Sequence, residues 1–120
     1  MKNLIFICTF FLLFTHASNA QIKKYCYTTI SGKYVVSLND DETKKVIYQL
    51  FDNSGTLKKT MQGTWSMRDE GLYGPAYKIT VTWTGINSGM QELKFVAQFD
   101  GNGNLQAIID NQNRTWNSCR

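Results

Sequence analysis

Past residue 20 the chain has no histidine. That absence removes the usual general base, the Ser–His and Cys–His nucleophile pairs and most zinc sites. No apolar run beyond that point is long enough to span a bilayer, and no window carries the periodicity of an amphipathic helix. Cationic density is missing as well. Thirteen Lys and Arg less Lys2, against nine Asp and Glu, leave a net charge of +3 on residues 21–120. That is mildly basic and short of the cationic stripe a nucleic-acid binder presents. Cysteine is scarce: Cys8 falls within the first twenty residues, and only Cys26 and Cys119 follow them.

Those first twenty residues have the form of an export signal. Lys2 supplies a positive start, Leu4 to Phe14 is an apolar run, and Ala17-Ser18-Asn19-Ala20 ends in the small-x-small pattern that signal peptidases accept. The expected organisation is a signal peptide over 1–20 and one all-β domain over 21–120, a length that suits a modest core. Export places the protein in a secreted or periplasmic setting. There, a Cys26–Cys119 disulfide is expected.

What the chain does have is alternation. In "YKITVTWT", Tyr77, Ile79, Val81 and Trp83 share one side while Lys78, Thr80, Thr82 and Thr84 share the other, the period of a half-buried strand. Tyr34, Val36 and Leu38 repeat the pattern, as do Val46, Tyr48 and Leu50. Leu93, Phe95, Ala97 and Phe99 follow it, and Leu105, Ala107 and Ile109 are expected to do so too. Glycine- and asparagine-rich turn signals separate these runs. About eight strands joined by short turns make an antiparallel meander, closed as a barrel or folded as a sandwich. Bridged Cα atoms must lie within roughly 7 Å, so the disulfide would bring the chain ends together, as barrel closure does.

"FDGNGNLQ", residues 99–106, opens like a calcium loop at Asp100, Asn102 and Asn104. A calcium hand, however, needs Gly where Leu105 stands and a bidentate Glu where Asn111 stands. The segment also has a sibling: "YQLFDNSGTLKKTMQGTW" and "AQFDGNGNLQAIIDNQNRTW" share Phe-Asp-x-x-Gly-x-Leu followed by Thr-Trp. We therefore read Asp52 and Asp100 as openers of hairpin turns with a glycine at positive φ, not as metal ligands. No metal and no cofactor is expected.

Without histidine or a free thiol, catalysis would fall to carboxylates, as in glycosidases. Asp40-Asp41-Glu42 and Asp69-Glu70 sit in turn regions and read as solvated loops, so the chain is not expected to be an enzyme. The lysine pairs Lys23-Lys24, Lys44-Lys45 and Lys58-Lys59 read as strand ends that discourage edge pairing. The other reading is a polar lumen or an anion-binding rim. The twelve aromatic residues beyond the signal either fill a core or line a ligand pocket. On the second view Trp65, Trp83, Tyr77 and Phe95 are the candidate ligand-binding residues.

The stretch "YQLFDNSGTLKKTMQGTWSM" followed by "YKITVTW" resembles the lipocalin-like domains of small exported bacterial proteins. In those, a strand-Asp-x-x-Gly hairpin leads into Gly-x-Trp, here Gly63-x-Trp65, and then into an alternating strand. The resemblance covers about 40 residues and departs from the pattern at the first strand, which has no Gly-x-Trp, and in the terminal disulfide. It implies an up-and-down barrel and an apolar ligand, and it carries over no catalytic residue. The function expected is that of a secreted binding module for a small apolar or amphipathic ligand. The alternative is an exported protein- or glycan-binding factor, an inhibitor or envelope protein, acting through its sheet surface or loops.

Overall fold

The computed structural model describes residues 21–119. The expected signal peptide lies outside the described residues. Eight strands follow one another: β1 (Ile22–Thr29), β2 (Gly32–Asn39), β3 (Lys45–Asp52), β4 (Leu57–Asp69), β5 (Tyr77–Trp83), β6 (Leu93–Phe99), β7 (Leu105–Asp110) and β8 (Thr115–Ser118), with one short 3-10 turn at Gly85–Asn87. Each strand pairs antiparallel with the next, and β8 returns to β1, closing a barrel. The barrel, not the sandwich, is therefore the architecture. Among the described residues no helix is long and apolar enough to cross a membrane.

The seam where β1 meets β8 is short. Tyr25 pairs with Ser118 and Cys26 with Asn117, and the Cys119 amide donates to the Lys24 carbonyl at 2.9 Å. The Cys26–Cys119 disulfide lies across this seam with its Cα atoms 5.2 Å apart, so the bond joins strands that the sheet already holds together.

Alternation puts Tyr25, Val36, Leu38, Val46, Met61, Ile79, Val81, Trp83, Phe95, Ile108 and Trp116 in one buried cluster that fills the barrel. Small barrels of eight strands have interiors just wide enough for side chains to pack. Gly63 makes room in this cluster: it pairs with Trp83 across β4 and β5, and a Cβ there would lie 2.4 Å from the Thr82 carbonyl oxygen. All three indoles satisfy their N–H groups. Trp65 donates to the Asn39 carbonyl, Trp83 to the Gln91 carbonyl and Trp116 to the Asp110 carboxylate.

One expected face is corrected. Along β7 the inward residues are not Leu105, Ala107 and Ile109. Phe99 pairs with Leu105 but Gln98 pairs with Ala107, which leaves Gln106 without a partner. This bulge flips the parity, so Leu105 packs on the core, Ile108 is fully buried within it, and Ile109 turns outward opposite Val96. A second irregularity, at Leu50/Phe51, leaves Lys58 unpaired in β4.

Three hairpins share one turn. Asp52, Asp100 and Asp110 each accept from the amides two and four residues on through Oδ1. Each also accepts through its carbonyl from the residue three on, Gly55, Gly103 and Asn113. Those residues stand at φ +86°, +81° and +62°. The repeat seen in sequence thus has a third member, with Asn in the glycine's place.

Candidate functional site

Up-and-down order gives the barrel two mouths. The chain enters and leaves at the terminal mouth, which also carries the β2–β3, β4–β5 and β6–β7 connections. The far mouth carries the other four connections.

At the terminal mouth the core stops short of the rim. Leu38 from β2, Trp65 and Met67 from β4, Phe99 from β6 and Leu105 from β7 border a cleft of about 150 Å³, with Lys23 and Asp40 at its polar edge. Trp65 is half-buried, while Met67 and Phe99 are 41% and 37% exposed, so two large apolar side chains face water here. The Gly63-x-Trp65 spacing makes this end. Gly63 faces the barrel interior against Trp83, and two residues on, the same side of β4 presents Trp65. Asn39 fixes the indole by accepting its N–H at 3.0 Å. The Lys44 ammonium lies 4.7 Å above the ring and pairs with Asp40, a cation–π contact that covers the outer face of the indole. Asn39 Oδ1 is buried with no hydrogen-bond partner among the described residues.

The four candidate aromatics do not gather at one place. Trp65 borders the cleft. Tyr77 stands behind it on the rim, 38% exposed, its ring edge-on to Phe99 at 5.6 Å. Trp83 and Phe95 lie deeper, 6% and 1% exposed, inside the packed cluster. The structure also brings Leu38, Met67, Phe99 and Leu105 to the cleft, none of which the sequence marks as different from core. Phe99 and Leu105 do carry one signal, since they flank the Asp100 turn.

The turn carboxylates are engaged locally. Hydrogen bonds from the Ser54 side chain and the Thr56 amide hold the Asp52 carboxyl at about 2, helped by Lys58 at 3.5 Å. Asp69 is lowered by the amides of Ala76 and Gly71, and Asp41 by Thr43. For Asp110, burial acts to raise the value, but bonds from Trp116 and Arg114 outweigh it and keep it low. The lysine pairs sit at strand ends, as expected: Lys23-Lys24 opens β1, Lys44-Lys45 leads into β3 and Lys58-Lys59 opens β4.

The class that these observations define is a disulfide-closed, eight-stranded up-and-down barrel with a filled interior and an apolar cleft at one mouth. No family model, curated protein or solved structure matches the chain.

Proposed function

We propose that this chain is a secreted or periplasmic binding module that takes the apolar end of a small amphipathic ligand into its terminal mouth. The observation that carries the reading is the cleft: apolar side chains left uncovered beside a lysine and an aspartate, in a barrel otherwise filled. Ligand sites combine apolar walls with a few placed polar groups. Sites for drug-sized ligands span roughly 300–1,000 Å³, so a cleft of about 150 Å³ suits a chain end or a single ring. A disulfide persists in oxidising compartments, which supports the exported setting. The resemblance to exported lipocalin-like domains points the same way. The module is read as non-catalytic, because five aspartates, at 41, 52, 69, 100 and 110, are engaged as acceptors in their own turns.

Tryptophan fluorescence titrated with decanoate and with decanol tests this. Saturable quenching by either ligand is expected, lost in Trp65→Phe and weakened in Met67→Asp. Quenching that does not saturate, or that Met67→Asp leaves unchanged, would overturn it.

A second reading, a protein- or glycan-binding factor, draws on one specific observation. Leu72 and Tyr73, in the β4–β5 connection beside the same mouth, are 90% and 102% exposed. Recovery of a stoichiometric partner by the wild-type protein but not by Leu72→Ser/Tyr73→Ser would favour it.

A further inference from the structure

At the far mouth, Arg114 immediately precedes β8, two residues before the buried Trp116, and its side chain is partly buried. The Arg114 Nε donates to Asp110 Oδ2 at 2.7 Å. Asp110 itself is 4% exposed and is held by the Gln112 and Arg114 amides and by the Trp116 indole. The guanidinium is thereby pinned through one nitrogen, which leaves its terminal Nη edge with no partner among the described residues. Its Cζ stands 5.3 Å from the Tyr27 ring centroid.

Three phenols share this end. Tyr27, Tyr34 and Tyr48 are half-buried around Trp116, with ring centroids 5.9, 6.1 and 6.4 Å from it. Their hydroxyls have no hydrogen-bond partner among the described residues, yet none is a buried unmet group, so they face solvent and are free to donate. Burial raises the Tyr48 phenol; Tyr34 adds to that and Arg114 opposes it. Lys59 pairs with Leu50, itself paired with Tyr34. That register puts Lys59 on the inward side of the same mouth, and it forms no ion pair among the described residues.

We propose that the far mouth is a binding site for a small organic carboxylate, recognised by the Arg114 Nη edge and the phenol hydroxyls, with Lys59 supplying the net positive charge. The guanidinium fork matches the plane of a carboxylate and can hold it through two parallel hydrogen bonds. Because Asp110 neutralises the Arg114 charge, Lys59 is what makes the end cationic. The aromatic walls favour an organic acid over an inorganic anion. Pinning by Asp110 also lowers the ordering cost of binding, since the side chain is already held. This site is at the opposite end from the cleft proposed for the amphipathic ligand, and it stands or falls independently.

The test is titration of the disulfide-intact protein with sodium benzoate, read by NMR at the indole N–H of Trp116 and of Trp65. Saturable movement of Trp116, with Trp65 still, is expected, and benzamide should move neither. Arg114→Gln should weaken binding about tenfold or more, as loss of a charge-assisted pair does. Because that substitution also strips a partner from Asp110, Tyr34→Phe and Lys59→Gln provide the second measure. Both keep the Asp110–Arg114 pair, and each should weaken binding by about two- to fivefold. No saturable shift at Trp116, equal binding of benzamide, displacement by equimolar inorganic phosphate, or unchanged affinity in both Tyr34→Phe and Lys59→Gln would overturn the site.

Discussion

Asp110 differs from its two relatives in its burial and in the side chains it holds. The three aspartates make the same backbone bonds, but Asp110 also holds Arg114 and the Trp116 indole inside the barrel end. Asp110→Ala should therefore cost about 2–4 kcal/mol, since it leaves a buried indole N–H unmet and releases an arginine that is itself only partly buried. Asp100→Ala loses only exposed turn bonds and should cost about 1 kcal/mol. Thermal melts of the two variants check the difference, and equal losses would deny Asp110 its inner role. Asn113 offers the opposite sign. At φ +62° it occupies the position glycine fills in the sibling turns, so Asn113→Gly should be neutral or stabilise by up to about 1 kcal/mol, whereas Asn113→Ala should destabilise.

At the scale of elements, β4 and β5 depend on one absent side chain. A Cβ at Gly63 would meet the backbone oxygen of Thr82, which has no flexible end to move aside. Gly63→Ala should thus cost about 1–3 kcal/mol, as overpacking does, and should speed amide exchange most in the neighbouring β4–β5 ladder. A melting point equal to wild type would show that the pair can spread apart cheaply. Period-2 alternation made most strands legible from sequence, because each buries one side against a single core. The inward side of β7 was not legible. Gln106 is one exposed residue added to a strand, and it changes the parity of everything after it without altering composition. For the site, Trp65 is the one of the four candidate aromatics that borders the cleft. Trp83 and Phe95 could not be separated from it, since packed interiors and apolar pockets use the same aromatic residues. The Arg114 arrangement was hidden for another reason: it depends on the turn between β7 and β8 bringing the Trp116 indole to the Asp110 carboxylate, a contact that residue spacing does not display.

Acid should act on the whole molecule through its turns. The carboxyls of Asp41, Asp52, Asp69 and Asp110 all lie below their ordinary value in the folded chain, Asp52 at about 2. A lowered folded-state value contributes stability above the unfolded value of about 4, and that stability is lost as pH falls through the folded value. The melting temperature should accordingly hold between pH 7 and 5, then fall steadily from about pH 4 to pH 2. Asp52→Asn, which cannot titrate, should flatten part of that fall. A melting point independent of pH down to 2 would mean that the turn carboxylates do not contribute.

The closed seam has a further consequence, for the order in which the strands can be made. β1 and β8 are neighbours in the sheet, and the bridged Cα atoms of Cys26 and Cys119 are 5.2 Å apart. With every strand paired to its successor around a circle, the barrel has no architectural first strand. A circular permutant that joins Cys119 to Gln21 through a short glycine–serine link and opens the chain between Leu72 and Tyr73, both exposed, keeps every ladder intact. Exposed loop tips of this kind are where new termini are tolerated. Such a permutant should fold with the same far- and near-ultraviolet circular dichroism as the parent, its linker spanning a seam that the disulfide and the β1–β8 ladder already hold.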